Sequence, residues 1–307
     1  MTGTDELDRS ALGRTIAVIN GKGGVGKTTI TANVAGLLAL SWWRVLAVDM
    51  DPQGNLGLDM GYVDTDSDDG GAALATSLTY GGAASPHRAV RTNLDVLIGG
   101  DALHMAQAAL AAQGSRDAAK AALSLARALA PIADDYDVIL IDCPPGNDAL
   151  QSAAIAAARW VLIPSRGDAG SQKGLDDVAR RLGAVLPYNP DVDLLGVALF
   201  DVDTAASRVR ENARAMVAES LEGEDVLFKS TIRHSSAVAQ EIRKRRLLVH
   251  ELDDAVRQEP EWWRVRRGEV AAAQSGPRSA TTVAEDLHAL TEEVVARLTA
   301  HETQEVA

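Results

Sequence analysis

The sequence predicts an α/β fold built on a mainly parallel, doubly wound sheet that is flanked by helices on both faces. Three observations lead to this prediction. Short apolar runs alternate with longer helical patterns along most of the 307 residues, which is typical of successive β–α units. A glycine-rich loop separates the first apolar run from the first helical pattern. Acidic residues follow two further apolar runs, and the carboxyl ends of parallel strands are where such sheets hold ligands.

The first β–α unit contains the most informative motif of the chain. Residues 15–20 form an apolar run that predicts a buried strand, and residues 29–40 show the pattern of an amphipathic helix. The loop between them, residues 21–28, fits G-x-x-x-x-G-K-[ST], the phosphate-binding P-loop. Its glycines let successive N–H groups turn toward one anion, and the helix N-terminus adds positive potential. We expect the nucleotide phosphates to contact Gly23, Gly24, Val25, Gly26, Lys27, Thr28 and Thr29.

Carboxylates follow two further predicted strands. Residues 45–48 lead into Asp49 and Asp51, and residues 138–141 lead into Asp142. If both strands are parallel neighbours in the sheet, these side chains meet at its ligand-binding edge. The alternative is that these acids only cap the helices that follow, since Asp after a strand is often an N-cap.

The remaining β–α units are predicted from apolar periodicity and turn residues. Residues 64–71 indicate an acidic exposed loop. Strands are predicted within residues 93–100, 160–164 and 194–200, and helices at residues 100–112, 116–131, around 149, 171–186 and 207–221. A last helix, residues 281–300, repeats apolar side chains at helical spacing: Val283, Leu287, Leu290, Val294 and Leu298.

This pattern divides the chain into four parts. Residues 1–14 are predicted to be a flexible N-terminal tail and residues 15–250 the P-loop domain. Residues 251–280, with paired tryptophans at 262 and 263, are predicted to be an insertion or linker. The helix at residues 281–300 is expected to dock on the P-loop domain because its polar positions are largely acidic.

Composition limits the classes of protein to which the chain could belong. The net charge of -13 argues against a uniformly basic surface, so any nucleic-acid contact must be local. The single cysteine, Cys143, cannot form an internal disulfide, and no apolar run approaches the length of a membrane span. The N-terminus lacks the basic start and apolar stretch of a signal peptide. We therefore expect a cytoplasmic protein with no membrane contact.

Three segments together resemble the ParA/MinD family of ATPases. Lys-Gly-Gly-Val-Gly-Lys-Thr-Thr at residues 22–29 resembles the family's deviant Walker A motif, residues 49–55 its second motif, and residues 142–146 its Walker B and switch II. The resemblance covers roughly residues 15–249. It implies ATP and Mg²⁺ as cofactors and an ATP-dependent homodimer. In the family's pattern, Lys22 contacts the phosphates of the partner subunit's ATP, Asp51 positions or activates the attacking water, and Asp142 and Thr28 hold Mg²⁺.

The resemblance also places a DNA-contacting face at one basic cluster: Arg233, Arg243, Lys244, Arg245 and Arg246. Arg233 stands where many family members have Pro. A basic run of this kind can also be only a solvated face.

The function that the resemblance implies is plasmid partition or chromosome segregation. The ATP-bound dimer would bind DNA non-specifically in association with the nucleoid, and a ParB-like partner would trigger hydrolysis. An alternative is a related ATPase that positions a non-DNA cargo, such as a polar or cell-division complex. A MinD-like membrane protein is disfavoured because the last helix is acidic. A metabolic enzyme resembling the nitrogenase iron protein is disfavoured because one cysteine cannot readily supply a cluster.

Overall fold

The computed structural model describes residues 7–202, 226–258, 266–267 and 276–305, together with residues 211, 213, 215 and 217. Within these residues, an eight-stranded sheet has the order β3-β4-β2-β5-β1-β6-β7-β8. The strands are β1 Thr15–Val18, β2 Val45–Asp49, β3 His87–Arg91, β4 Leu94–Leu97, β5 Val138–Asp142, β6 Trp160–Ser165, β7 Asp193–Val202 and β8 Leu227–Arg233. All neighbours pair in parallel except the β3–β4 hairpin.

Helices cover both faces of this sheet. They are α1 Lys27–Leu40, α2 Asn55–Met60, α3 Ala72–Tyr80, α4 Leu103–Gly114, α5 Ala118–Ala122, α6 Ser124–Leu129, α7 Asp148–Ala157, α8 Ala169–Val185, α9 Ser236–Arg245, α10 Val249–Arg257 and α11 Ser279–Glu305. Alternate residues of β1 point to opposite faces, so Ala17 and Ile16 belong to two different cores. One core receives side chains from α3 to α8, and the other receives side chains from α1, α2 and α9 to α11. The predicted doubly wound fold is confirmed.

The strand register fixes where the carboxylates meet. Val18 pairs with Asp142, and Asp49 pairs with the same Asp142 from the other side. The carboxyl ends of β1, β5 and β2 therefore lie side by side, and the loops that follow them open on one edge of the sheet.

The C-terminal helix α11 packs along the edge strand β8. Its apolar stripe, including Val283 and Leu298, is buried in the core that contains α1. On the same helix, the Glu293 carboxylate accepts backbone N–H bonds from Lys229 and Ser230 at 2.9–3.0 Å. Asp286 accepts one from Arg233 at 3.0 Å. Carboxylates of α11 thus bond the N–H groups of β8.

The structure differs from the predicted division of the chain at both ends of the P-loop domain. Leu12 is buried and Arg9 donates to the carbonyls of Ala156 and Tyr188, so residues 7–14 belong to the body and not to a flexible tail. The segment predicted to be a linker begins with α10, which is anchored by Leu252. Trp262 and Trp263 lie outside the described residues, as does most of the helix predicted at residues 207–221.

One predicted helix is broken. Residues 116–131 form α5, α6 and the start of a 3₁₀ helix, with a kink at Leu123. Asp117 caps α5 by accepting the Lys120 N–H, and Leu125 and Leu129 of α6 are buried. The alanine-rich sequence favours one continuous helix, but burying the α6 leucines redirects the chain.

Candidate nucleotide-binding site

The loop between β1 and α1 has the backbone of an anion-binding turn. Gly24 and Gly26 have φ of 71° and 92°, in the left-handed region that favours glycine. A Cβ at Gly26 would lie 2.5 Å from the ring of Phe200, so no larger residue fits there. The loop leads directly into α1 at Lys27, which places the positive end of the helix dipole at the turn.

Lys27 is a buried cation whose hydrogen bonding leaves room for an anion. Its side chain is 6% exposed, and Nζ donates to the Lys22 carbonyl at 3.1 Å. Burial lowers the pKa of Lys27, and the nearby Asp142 carboxylate opposes that shift. In the described part of the chain, this ammonium has no carboxylate within ion-pair distance. A buried charge without a counter-ion is costly, and a bound phosphate would supply one.

Asp142 and Thr28 form the part of the site that fits a divalent cation. Asp142 is fully buried, and neither carboxylate oxygen accepts a hydrogen bond of normal geometry from the described residues. Burial raises the pKa of Asp142 to about 7, although the Thr28 side chain and the Lys27 charge lower it in part. A buried carboxylate with two free oxygens beside a hydroxyl is the hard oxygen set that Mg²⁺ prefers. These residues fit Mg²⁺.

A second carboxylate positions Asp51. The Asp51 N–H donates to Asp49 Oδ1 at 2.9 Å, and Asp51 Oδ1 accepts the Gln53 N–H at 3.0 Å. Burial, reinforced by the Asp142 charge, raises the pKa of Asp49 well above its usual range. No separate role for Asp49 was predicted from the sequence. The signal available was its place on the strand, two residues before the predicted catalytic carboxylate.

Lys22 lies outside the cavity that the P-loop borders. Its Nζ bonds both oxygens of Asp168, the residue before α8, at 2.8 and 3.0 Å. Its backbone N–H donates to Asn20 Oδ1, and Asn20 in turn donates to the Pro164 carbonyl of β6. Asp168 and Asn20 were not predicted from the sequence, since Asp168 is distant from Lys22 and Asn20 is held by the distant Pro164 carbonyl. The structure therefore pairs the Lys22 ammonium with Asp168, outside the cavity, while the Lys22 carbonyl accepts the Lys27 ammonium.

A cavity of about 530 Å³ lies beside the P-loop. Gly23, Gly24, Gly26, Lys27, Thr28, Thr29 and Asp51 border it. Residues at the carboxyl ends of β6, β7 and β8 border it as well, among them Arg166, Phe200, Asp201 and His234. Val25, which the motif includes, is buried and 1% exposed.

The predicted basic cluster is divided in the structure. Arg233 borders the nucleotide cavity and forms a bidentate ion pair with Asp286 at 2.6 and 2.7 Å. Arg245 bonds Glu241 at 2.6 Å, and its side chain is only 16% exposed. These two residues are thus poor candidates for contacting DNA phosphates, because each already holds a carboxylate.

The other three basic residues are more exposed. The side chains of Arg243 and Lys244 are 62% exposed and that of Arg246 is 44% exposed. Each lies at 3.5–3.7 Å from an acidic oxygen: Asp59 for Arg243, Glu241 for Lys244 and Asp64 for Arg246. Ion pairs this long are weak where the cation is exposed, although Asp59 itself is buried and Arg246 also donates to the Val63 carbonyl at 2.9 Å. These three side chains are therefore the ones in the cluster that can exchange a carboxylate for a phosphate.

A glycine-rich loop at a helix N-terminus, a buried lysine and two strand-end carboxylates on a parallel sheet define a P-loop nucleoside triphosphatase. A family model described as an AAA domain, AAA_31, matches residues 13–193. The chromosome partitioning protein ParA of Myxococcus xanthus is 35% identical over 206 residues, which cover 67% of this chain and 71% of that protein. The chain belongs to the ParA-type family of P-loop partition ATPases.

Two solved structures share the fold. A McdA variant from Cyanothece in complex with ATP matches with a TM-score of 0.70 and 21% identity, covering 92% of this chain and 96% of that one. The septum site-determining protein MinD of Pyrococcus horikoshii, in complex with Mg-ADP, matches with a TM-score of 0.62 and 22% identity, covering 92% and 95%.

Proposed function

We propose that this chain is an ATP-dependent switch that dimerises on ATP, binds DNA non-specifically and segregates plasmid or chromosomal DNA with a ParB-like partner. The observation that carries the proposal is the convergence of Lys27, Asp51 and Asp142 on one edge of the sheet, with Lys22 held at the rim. Slow ATP hydrolysis at this site would set the moment at which the dimer releases DNA. Its purpose would not be to produce a metabolite.

ATP and Mg²⁺ are the cofactors that the site supports. The two structural neighbours were solved with ATP and with Mg-ADP, and the buried oxygens of Asp142 fit the cation. When bound, Mg²⁺ neutralises charge on the phosphate oxygens. Lys27 would bind the β- and γ-phosphates, and Thr28 and Asp142 would hold the ion. Asp51, held by Asp49, would orient the attacking water and accept its proton.

Lys22 is the residue through which we propose that a second subunit completes the site. In the single chain its ammonium is paired with Asp168, which is half exposed. An exposed ion pair of this kind contributes little to stability, so Lys22 can leave Asp168 for a more strongly charged partner. The triphosphate of a facing subunit supplies such a partner, with the role that an arginine finger has elsewhere.

Replacing Lys22 by Ala should weaken ATP-dependent dimerisation and hydrolysis, while the affinity of the monomer for ADP stays within about threefold. Sedimentation with ATP and with ADP, beside phosphate release, measures both. Mixing this variant with Lys27→Ala offers a sharper test. The nucleotide-holding site would then receive its Lys22 from the Lys27→Ala subunit, so partial activity should return. An unchanged monomer–dimer balance, or a mixture without recovered activity, contradicts a role across the interface.

DNA contact is proposed for the exposed basic residues of α9 and its C-terminus. One chain with a net charge of -13 should bind DNA poorly. Dimerisation would place two copies of Arg243, Lys244 and Arg246 on one assembly and so make binding depend on ATP. Phosphate contacts release condensed counterions, and affinity should then fall by roughly 0.9 in log–log slope for each phosphate neutralised.

The double variant Lys244→Ala, Arg246→Asn should weaken ATP-dependent binding to any DNA sequence about equally and flatten its salt dependence. Asn is chosen at 246 because that residue has a φ of 56°, which Asn tolerates. Arg116→Ala with Lys120→Ala removes the same charge from exposed positions elsewhere and is the matched control. Salt titrations on two unrelated duplexes, with ATP and with ADP, measure the effect. Sequence-selective binding, or an equal loss of DNA affinity in both double variants, contradicts the proposal that these basic residues contact DNA.

A non-DNA cargo is the second candidate function, because acidic side chains face each exposed residue of the basic run. MinD, a septum site-determining protein, shares the fold. In the described ranges, no helix is both long and apolar enough to cross a bilayer. A wild-type ATP-bound dimer that fails to bind DNA at low salt would favour this second function.

A further inference from the structure

One carboxylate joins the ends of three neighbouring strands beside the nucleotide cavity. Asp201, on β7, forms an ion pair with Arg166 at 2.6 Å through one oxygen and bonds His234 Nδ1 through the other. Arg166 follows β6 and His234 follows β8. All three residues border the cavity that begins at the P-loop. The Arg166–Asp201–His234 network is therefore part of the cavity wall.

The sheet order shows which end of a nucleotide this wall would face. β1, which carries the P-loop, lies between β5 and β6. Asp142 ends β5 and Asp51 follows β2, both on one side of β1, so the terminal phosphates and the cation belong on that side. The network lies on the other side, at the ends of β6, β7 and β8. A nucleotide whose phosphates occupy the P-loop therefore directs its sugar and base toward the network.

The backbone conformation of Asp201 and the packing around it are typical of a ligand-binding site. Asp201 has a φ of 62°, a left-handed conformation that non-glycine residues rarely adopt and that concentrates at functional sites. The preceding residue, Phe200, lies with its ring against Gly26 of the P-loop, so the network and the phosphate-binding turn are mechanically joined. Arg166 Nε is buried and has no hydrogen-bond partner among the described residues. A donor left unpaired in this way is costly unless a ligand is bound nearby.

We propose that Asp201 is a positioning residue for the nucleoside end of the bound nucleotide. This inference rests on the proposed ATP-binding function. Asp201 holds the Arg166 guanidinium and the His234 ring against the cavity wall, where both can contact the ribose and base. It sets nucleotide affinity through these two side chains and takes no part in the attack on the γ-phosphate. Loss of its charge therefore affects every ligand that carries the nucleoside and spares ligands made of phosphate alone.

The test is Asp201→Asn, which preserves shape and tolerates the left-handed backbone. Equilibrium titration should show ATP and ADP affinity reduced about tenfold, by a common factor, because a charge-assisted hydrogen-bond pair is lost. Competition by inorganic tripolyphosphate with Mg²⁺ should stay within twofold of wild type. At saturating ATP, kcat should also stay within twofold, so the loss appears in KM. Arg166→Gln should lower affinity in the same direction, and adding Asp201→Asn to it should cost less than in the wild type.

Asp137→Asn is the matched control, because Asp137 forms a similar ion pair with Arg44 at 2.7 Å away from the cavity. It should leave ATP, ADP and tripolyphosphate binding unchanged, and thermal unfolding without nucleotide compares the folds of both variants. Unchanged ATP affinity in Asp201→Asn overturns the proposal. An equal loss for tripolyphosphate also overturns it, since the residue would then act on the phosphate end or on the fold. Wild-type protein that binds neither ATP nor ADP would instead contradict the proposed function.

Discussion

Lys27→Ala is expected to abolish measurable ATP binding at micromolar nucleotide. Its ammonium is buried beside the P-loop glycines and hydrogen-bonds only a backbone carbonyl among the described residues. The triphosphate would lose the buried cation that the P-loop of this subunit supplies. Truncating one partner of a buried charge pair costs about 2–5 kcal/mol, or roughly 30-fold to 4000-fold in affinity. Fluorescence titration with a labelled ATP analogue, or calorimetry, measures the loss.

Loss of folding is not the expected cause of that result. Burial already disfavours the charged form of Lys27 and lowers its pKa, and replacing a buried charge by an apolar group is often neutral. The volume-conserving Lys27→Met variant should therefore lose ATP equally and keep the wild-type unfolding midpoint without nucleotide. Lys120→Ala, at an exposed position on α5, is the control for loss of a lysine. If both Lys27 variants keep wild-type affinity for ATP, the proposal that the P-loop binds the phosphates of ATP is wrong.

Asp51→Asn is expected to keep ATP and lose its hydrolysis, by about 10²- to 10⁴-fold in kcat. The side chain borders the cavity and is 6% exposed. Asn keeps an oxygen that can accept the Gln53 N–H, so the turn after β2 should survive, whereas the proton acceptor is lost. ATP affinity should stay within about threefold, and the ATP-bound dimer should accumulate. Phosphate release under single-turnover conditions, beside sedimentation, measures both effects.

Asp59→Asn is the matched control for this change. Asp59 is a buried carboxylate on α2 without a hydrogen-bond partner among the described residues, and it does not border the cavity. Burial raises the pKa of Asp59 to about 6, and Asn keeps the size and shape of that side chain. Hydrolysis should persist in this variant. Wild-type turnover in Asp51→Asn would contradict the proposed role of Asp51 in hydrolysis. Equal losses of hydrolysis in Asp51→Asn and Asp59→Asn would mean that any change after β2 impairs turnover, and the loss could then not be assigned to the Asp51 carboxylate.

The phosphate-binding part of the site could be predicted from sequence because its physics is local. A turn that directs several N–H groups at one anion needs glycines at fixed spacing. The strand before it and the helix after it can be predicted from the periodicity of apolar residues. The buried strands β1, β2 and β5 were predicted for the same reason. Asp142 could be placed at the edge of the sheet because a parallel strand ends there.

Contacts between segments that are distant in the sequence could not be predicted in this way. The basic run is four consecutive residues, but Arg243 faces Asp59 and Arg246 faces Asp64, nearly two hundred residues earlier. Arg233 was grouped with the run by resemblance, but in the structure it pairs with Asp286 and borders the nucleotide cavity. The break between α5 and α6 at Leu123 also depends on tertiary packing, because the side chains that become buried in the core decide where the helix ends.

The carboxylates of α11 also cover part of the edge of the sheet at β8. β8 pairs with β7 alone among the described strands, and an unpaired row of strand N–H groups is a template for other chains to add to. Glu293 and Asp286 already accept three of those N–H groups. An incoming strand would have to displace two charged side chains from their bonds. Helix α11 thus protects the described edge of the sheet from pairing with a strand of another chain.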